Sequence, residues 1–383
     1  MSSAKYQRPN SAEARSEAAQ DIISCRALLQ ENSRTFFAAS LLLPKAVREP
    51  SLALYAFCRV ADDAVDLHAD KHGAVADLMD RLTRLYDGQP SAASADRAFA
   101  DVATRFNIPR EIPQALIEGF AWDAEFRRYE TLDDLYGYAA RVAGTVGVMM
   151  ALLMGARSAS ALARACDLGV AMQLSNIARD VGEDAAEKRL FLPLEWLRAE
   201  AIDADTWLEK PSFTPSLGRV VQRLLAAADA LYDRVGQGIA ELPATCRLGI
   251  SAARTLYQEI GRQVERNSLD SVTQRAVVSG RRKAALLSRG LMLPLDRSGS
   301  EVPAPLAQAT FLIRAVVDSD AASAAAKIAK TAMAAQINRN RPTLVGQSVA
   351  SPTLPWWNIQ DRALWLVDLF ERLERADQER VSS

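Results

Sequence analysis

Hydrophobic residues recur at helical spacing along most of this 383-residue chain. Apolar positions repeat every three or four residues up to about residue 292, and the alternating patterns typical of strands are almost absent. The turn signals DGQPS at 87–91 and NIPREIP at 107–113 separate neighbouring segments. The sequence shows no internal repeat of about 20–50 residues, so a solenoid is not expected. The pattern therefore predicts an all-α protein built as a single large helical bundle.

The extent of each helix is predicted from these periods and breaks. Two helices contain the stretches 51–66, after Pro50, and 171–193, up to Pro193. The other predicted helices are 11–31, 70–87, 92–105, 109–122, 131–156, 214–240, 243–267 and 270–292.

Two of the predicted helices carry a polar stripe on a largely apolar surface. Within 171–193, one helical face carries Gln173, Asn176, Asp180 and Asp184. Within 51–66, the corresponding face carries Tyr55, Arg59, Asp62 and Asp66. An acidic stripe of this kind lies either in water or in a polar cavity, because burial of two unpaired carboxylates is too costly.

Both stretches end in the pattern Asp-x-x-x-Asp. Two carboxylates one turn apart, on each of two facing helices, would offer four hard oxygen donors across a cleft. This donor set suits Mg²⁺, which prefers oxygen and commonly binds one or two carboxylates together with phosphate oxygens of a substrate. The paired motifs therefore predict a cavity for a divalent metal ion and a diphosphate. Either stretch alone is equally compatible with an amphipathic helix whose acidic side faces water.

With these motifs the chain resembles the squalene/phytoene synthase family, whose members join two isoprenoid diphosphates head to head. Within the family it is most similar to bacterial phytoene synthases. The matching segments follow one another over about residues 20–290, and the two aspartate motifs with AGTVG between them make the resemblance specific. These segments are NSRTFFAASLLLP (32–44), YAFCRVADDAVD (55–66), YAARVAGTVG (138–147), QLSNIARDVGED (173–184), RLFLP (189–193), LPATCRLGISAARTLYQEIG (242–261) and QRAVVSGRRK (274–283).

The resemblance implies an isoprenoid-synthase-type bundle with a central cavity and a prenyl-transferring activity. The implied reaction condenses two molecules of geranylgeranyl diphosphate to phytoene, through a cyclopropylcarbinyl diphosphate and with release of diphosphate, in carotenoid biosynthesis. Two alternatives stay open. One is a C15 synthase that makes squalene, dehydrosqualene or hydroxysqualene; the other is a non-catalytic member that acts as an assembly scaffold. Retention of all four aspartates argues against the scaffold.

The polar stripes and the resemblance together assign roles to individual residues. The expected metal ligands, for Mg²⁺ or for Mn²⁺ in its place, are Asp62, Asp66, Asn176, Asp180 and Asp184. Contacts to the diphosphate or prenyl chain are expected from Ser33, Arg34, Phe36, Tyr55, Arg59, Tyr138, Gln173, Asn176, Arg179, Tyr257 and Arg275. Tyr138 and Arg59 join the four aspartates as expected catalytic residues, because aromatic faces stabilise cations and guanidinium groups pair with phosphate oxygens.

The chain departs from the family pattern at two positions. Many relatives carry tyrosine where Phe191 stands in KRLFLP (188–193), so this side chain lacks a hydroxyl that could transfer a proton. Asn32 stands where some relatives have histidine. Neither position is an expected metal ligand.

Charge and cysteine content bear on the cellular setting. The 46 basic and 47 acidic residues nearly cancel, so no overall basic field points to nucleic acid. Four scattered cysteines without a CxxC pair fit reduced thiols in a cytoplasm. The first twenty residues lack the apolar core of a secretory signal, and the apolar stretch 142–156 is shorter than a membrane span. Any membrane contact is therefore expected to be peripheral, on the cytoplasmic face, and the sequence indicates no oligomeric state.

The character of the sequence changes after residue 292. Residues 1–292 are expected to form the synthase domain, whereas 293–355 are typical of a linker-like extension with a short helix in its Ala-rich part. Within 356–383, the strongly amphipathic stretch 356–377 is expected either to dock on the bundle or to lie at a membrane surface with its tryptophans.

Overall fold

Every regular element in the described residues is helical, which confirms the predicted all-α class. The computed structural model describes residues 12–32, 37, 39–68, 70–290 and 303–338. The first seven α-helices are α1 (Ala12–Asn32), α2 (Lys45–Asp66), α3 (Lys71–Tyr86), α4 (Ser94–Arg105), α5 (Glu111–Ala124), α6 (Leu132–Ala139) and α7 (Thr145–Leu153). They are followed by α8 (Ala159–Ala186), α9 (Leu194–Ala199), α10 (Ala204–Glu209), α11 (Pro215–Glu241), α12 (Ala244–Arg266), α13 (Gly280–Gly290) and α14 (Thr310–Asn338).

Helix α8, which carries the second aspartate motif, runs through the middle of the bundle. Its start is fixed by Ser158, whose hydroxyl accepts a 3.1 Å hydrogen bond from the backbone N–H of Ala161. It packs along α11 and against α7 and α12. Near its far end the backbone of Asp180 departs from helical geometry, with φ −103° and ψ 15°. The helix is therefore kinked at one of the predicted metal ligands.

Glycines allow α7 and α8 to approach closely. A methyl group on Gly169 would lie 2.7 Å from the carbonyl carbon of Ala143, and one on Gly147 would lie 2.9 Å from that of Ala165. Real side chains do not pack at such distances, so only glycine fits at these two positions. The AGTVG segment is therefore required for the central helix packing.

A wide turn connects α6 to α7. Residues Ala140–Gly144 form a π-helical turn between them, so the helical stretch continues from Leu132 to Leu153. This stretch is long and apolar enough to cross a membrane, but 61% of its most apolar window is buried inside the bundle. Such burial is typical of the core helix of a globular protein.

One predicted helix is partly wrong, and two others differ at one end, since α2 begins at Lys45, before Pro50, and α8 already ends at Ala186, before Pro193. The sequence pattern placed a helix over 270–292, whereas α13 begins only at Gly280. Residues 270–279 instead lie against the second aspartate motif, where the carbonyl of Ser271 accepts a 2.9 Å hydrogen bond from the N–H of Gly182. A polar backbone contact of this kind leaves no periodic signal in the sequence.

The extension after residue 302 packs on the bundle in its described part. Helix α14 is longer than the short helix that the composition predicted, and Leu312, Ile313 and Val316 are buried in the main core. The amphipathic stretch 356–377 lies outside the described residues.

Candidate active site

The two aspartate motifs line a single cavity with a volume of about 370 Å³. Asp62 and Asp66 reach it from α2, and Asp180 and Asp184 reach it from α8. The structure therefore brings together two pairs of carboxylates that are more than a hundred residues apart in the sequence.

Four arginines contact the aspartates directly, and three of them lie outside α2. Arg189 Nη2 donates a 2.6 Å hydrogen bond to Asp66 Oδ1. On the other side of the cavity, Arg179 Nε donates to Asp180 Oδ1 at 2.7 Å, and Arg275 Nε donates to the same oxygen at 3.1 Å. Arg275 also contacts Glu183 and is 50% exposed. Each motif is thus accompanied by guanidinium groups of the kind that binds phosphate oxygens.

Arg59 accompanies the first motif from within the same helix. Its Nη1 lies 3.2 Å from Asp62 Oδ2, and its Nη2 lies 2.5 Å from Asp63 Oδ1. Arg59 and Asp62 line the cavity, whereas Asp63 does not. Asp63 therefore acts as a partner for Arg59 at the edge of the site.

Burial and crowding raise the pKa of one carboxyl in each motif. Burial, with a further contribution from Asp66, raises the pKa of Asp62 to about 6. Burial, with a further contribution from Asp180, raises the pKa of Asp184 to about 7. A cation bound beside these groups would lower both pKa values, because a nearby positive charge favours the ionised carboxylates.

The donor atoms at the cavity fit a hard divalent cation. Asn176 lines the cavity one turn before Asp180, and its Oδ1 is buried without a hydrogen-bond partner in the described part of the chain. Within the same described part, no three acidic, histidine or cysteine side chains form a ready-made metal cluster. An ion bound here would complete its shell with water and substrate oxygens, as Mg²⁺ commonly does.

A fifth acidic residue at the cavity, Asp123 on α5, was not among the predicted site residues. The hydroxyl of Tyr138 donates a 3.0 Å hydrogen bond to its Oδ2, and its Oδ1 is buried without a partner in the described residues. Burial raises the pKa of Asp123 to about 7. A single acid in the apolar stretch AWDA is the only sequence signal that points to it.

Aromatic rings cover the side of the cavity around Tyr138. Its ring centroid lies 5.2 Å from that of Phe191 and 5.2 Å from that of Tyr129. Phe191 also lines the cavity and supplies a ring without a hydroxyl. Such faces can stabilise a carbocation without reacting with it.

An apolar tunnel continues from the polar cavity into the bundle. It has a volume of about 280 Å³ and is lined mainly by apolar side chains of α2, α7, α8, α11 and α12. The residues shared by the tunnel and the cavity are Tyr55, Cys58, Val142, Gln173 and Asn176. Along α8 the tunnel extends from Asn176 back to Ala161, which at about 1.5 Å per residue corresponds to about 22 Å.

Most of the predicted site residues meet at these two spaces. The predicted residues that line the cavity are Tyr55, Arg59, Asp62, Asp66, Tyr138, Gln173, Asn176, Asp180 and Asp184. Tyr257 lines the tunnel, and Arg179 and Arg275 reach the site through Asp180. Ser33, Arg34 and Phe36 lie outside the described residues. Arg189 was not among the predicted site residues, because its contact with Asp66 depends on the tertiary fold.

Comparison with known proteins agrees with this geometry. The sequence pattern of the family described as squalene/phytoene synthase matches residues 29–282. The chain is 52% identical over 275 residues to the phytoene synthase of Rhodobacter capsulatus, covering 71% of this chain and 81% of that protein. It is 46% identical over 313 residues to the phytoene synthase of Cereibacter sphaeroides, covering 78% and 88% of the two chains.

Among solved structures, the chain is similar to a dehydrosqualene synthase crystallised with a ligand. The TM-score is 0.67 at 30% sequence identity, and the match covers 72% of this chain and 97% of that one. Fold and site define a helical enzyme of the isoprenoid synthase type, built to hold a prenyl group beside a diphosphate. The chain belongs to the squalene/phytoene synthase family.

Proposed function

We propose that this protein condenses two molecules of geranylgeranyl diphosphate head to head to give phytoene, in carotenoid biosynthesis. The reaction passes through a cyclopropylcarbinyl diphosphate, and each of its two steps releases one diphosphate and one proton. It is a prenyl transfer, and the two bacterial relatives that match most of the chain are phytoene synthases.

The observation that carries this proposal is the polar cavity that opens into a long apolar tunnel. A geranylgeranyl chain has 16 main-chain carbons with bonds of about 1.5 Å and is therefore about 20 Å long when extended. The tunnel extends for about 22 Å along α8. A farnesyl chain, with 12 main-chain carbons, reaches only about 15 Å and would leave the inner end of the tunnel empty.

The carboxylates of both motifs, together with Asn176 Oδ1, would hold Mg²⁺, or Mn²⁺ in its place, at the cavity. When bound, the metal neutralises charge on the diphosphate and so favours its departure as a leaving group. Support for this assignment comes from the oxygen donors, the raised pKa values of Asp62 and Asp184, and the unpartnered amide oxygen of Asn176.

The arginines and aromatic residues have separate tasks in the proposed reaction. Arg59 and Arg189 line the cavity and are placed to donate hydrogen bonds to diphosphate oxygens, which orients the leaving group. The rings of Tyr138 and Phe191 face the same space and stabilise positive charge on the prenyl carbon. The apolar tunnel excludes water, so the carbocation reacts with the second prenyl chain rather than with water.

We further propose that the enzyme works in the cytoplasm and contacts the membrane peripherally. The four cysteines, all free thiols, fit a reducing compartment, and an apolar C40 product needs a lipid phase to receive it. Cell fractionation with and without a high-salt wash would test this. Release by salt supports a peripheral contact, and extraction by detergent alone contradicts it.

Turnover assays test the proposed function. Purified full-length protein is incubated with the C15 or the C20 prenyl diphosphate, with Mg²⁺ or EDTA, and with or without NADPH. We expect phytoene from the C20 substrate, no turnover after chelation, and no dependence on NADPH. A product formed from the C15 substrate alone would contradict the proposal and favour a squalene-type synthase.

A further inference from the structure

We propose that Arg164 is a chain-length-determining residue, whose buried aliphatic stem forms the end wall of the prenyl tunnel. This inference rests on the proposed function, because it concerns which prenyl diphosphates that reaction accepts. Arg164 is 1% exposed and is an unusual residue to find in the lining of an apolar tunnel.

Its position in the bundle places Arg164 at the end of the tunnel farthest from the aspartates. On α8 the lining begins at Ala161 and Arg164 and ends at Asn176, one turn before the second aspartate motif. On the neighbouring helices, the residues farthest along from the cavity are Met154 after α7 and Leu242 after α11. Because a helical side chain leans over the turn before its own Cα, the stem of Arg164 covers the level of Ala161, and a prenyl chain that enters from the cavity reaches this level last.

The stem of Arg164 is wedged against α11. A methyl group placed on Gly238 would lie 2.7 Å from Arg164 Cγ and closer still to its Cβ, so the two helices leave no spare space there. Because packed interiors do not deform freely, this contact fixes where the stem lies. The stem can therefore act as a rigid wall.

The guanidinium group is held away from the tunnel by a buried ion cluster. Arg164 Nε lies 3.1 Å from Asp167 Oδ2, which also lies 3.1 Å from Arg234 Nε. Arg164 Nη2 donates to the carbonyl of Pro303 at 3.0 Å, and Arg234 Nη2 donates to that of Ala304. Asp167 is fully buried.

This cluster links the start of the extension to the inner end of the tunnel. The carbonyls of residues 303–304 hold two guanidinium groups, and those groups hold a carboxylate that no solvent reaches. The contacts between Asp167 and the two Nε atoms have the distance of an ion pair without the alignment of a hydrogen bond. Charge attraction and packing, rather than directed hydrogen bonds to Asp167, therefore keep the stem in place.

A competition assay with three substrates tests the inference. Full-length protein receives equal amounts of the C15, C20 and C25 prenyl diphosphates with Mg²⁺, and the products are separated by chain length. Arg164→Ala removes the wall, so we expect the rate ratio of C25 to C20 to rise at least about tenfold, since each added methylene is worth about tenfold or more in an apolar pocket.

Two matched variants separate the effect of the Arg164 stem from the effect of the buried charges. Arg164→Met keeps a stem of similar length without the guanidinium, and Arg234→Ala removes the other arginine of the cluster, which does not line the tunnel. We expect both to lower the melting temperature and to keep the C25 to C20 ratio within about twofold of the wild type. A change with Arg234→Ala as large as that with Arg164→Ala would overturn the inference.

A variant that fills the tunnel instead of lengthening it tests the inference if Arg164→Ala does not fold. Ala161→Leu fills the same end of the tunnel, and we expect it to shift the preference from C20 to C15 by at least about tenfold. If the rate ratios between substrates are unchanged in the folded variants while the wild type turns over the C20 substrate, the role of Arg164 is refuted and the proposed function is not. Absence of C20 turnover by the wild type would refute the proposed function itself.

Discussion

The hydroxyl of Tyr138 donates a 3.0 Å hydrogen bond to Oδ2 of Asp123, and both side chains line the cavity that holds the aspartate motifs. The bond fixes the tilt of a ring that lines this cavity. It also leaves Asp123 Oδ1 as a buried acceptor without a partner in the described residues. Tyr138 and Asp123 therefore act as one unit.

Removal of the Tyr138 hydroxyl should slow the reaction and, because Asp123 Oδ2 then loses its donor, cost about 1–3 kcal/mol of stability. We expect Tyr138→Phe to lower kcat at least about tenfold, because positioned polar groups contribute about this much or more to catalysis. The matched control is Tyr129→Phe. Tyr129 belongs to the same ring cluster, but it does not line the cavity and its hydroxyl is buried without a hydrogen-bond partner in the described residues. Equal losses in the two variants would contradict a specific role for the hydroxyl.

The contribution of Asp123 to the stability of the metal-free protein should fall as the pH rises from about 4 to about 7. Asp123 has a pKa of about 7 in the folded protein against 3.8 in a model compound, so the folded state binds its proton more tightly than the unfolded state does. The stabilisation is present below pH 4 and is lost as the pH rises through 7.

We expect Asp123→Asn to reduce this loss by on the order of 1–3 kcal/mol, measured by urea unfolding between pH 4 and pH 8. If the free energy of unfolding changes with pH in the variant as it does in the wild type, Asp123 does not titrate in this range.

Substitution of a carboxylate in either motif should remove metal-dependent turnover. We expect Asp62→Asn and Asp184→Asn to lower kcat by about 100-fold or more, because the charge that develops on the leaving diphosphate then lacks part of its compensation. Calorimetric titration with Mg²⁺ and inorganic diphosphate should show weaker binding in both variants. Asp77→Asn, at an exposed position on α3, is the control. Unchanged metal binding in the motif variants would contradict the assigned ligands.

Arg189 should affect substrate binding as well as rate. It donates a 2.6 Å hydrogen bond to Asp66 and lines the cavity. We expect Arg189→Gln to raise KM about tenfold or more, because a charged hydrogen bond to the diphosphate is lost. Arg198→Gln is the control, since Arg198 pairs with Glu130 at an exposed position. A rise in KM for both variants would point to a general effect of charge.

A methyl group should be tolerated at one glycine and not at another. Gly169→Ala places a methyl 2.7 Å from the carbonyl carbon of Ala143 and should destabilise the protein by about 2 kcal/mol or more. Gly137→Ala meets no atom within 4 Å and should stabilise α6 by about 0.5–1 kcal/mol. Denaturant midpoints measure both effects. A stable Gly169→Ala variant would show that α7 and α8 can separate at low cost.

The helical class and the aspartate stripes could be predicted because both depend on local periodicity. Asp62 and Asp66 share a helical face wherever the helix lies, and so do Asp180 and Asp184. Asp123 and Arg189 could not be placed, because their roles come from contacts between distant elements. The segment 270–279 was wrongly predicted as helix, because its conformation also depends on a contact with a distant element. Its apolar spacing fits a helix, while its observed backbone is fixed by a hydrogen bond to Gly182.

The wide turn at Ala140–Gly144 sets the rotational phase between Tyr138 and the tunnel wall. Tyr138 and Val142 line the cavity before and within this turn, and Val146 and Met150 line the tunnel after it. Each residue of an α-helix turns the chain by about 100°. Deletion of one residue here would rotate the whole of α7 relative to Tyr138 and turn its lining side chains toward the neighbouring helices. A five-residue irregularity thus sets the angle at which the polar cavity and the apolar tunnel meet.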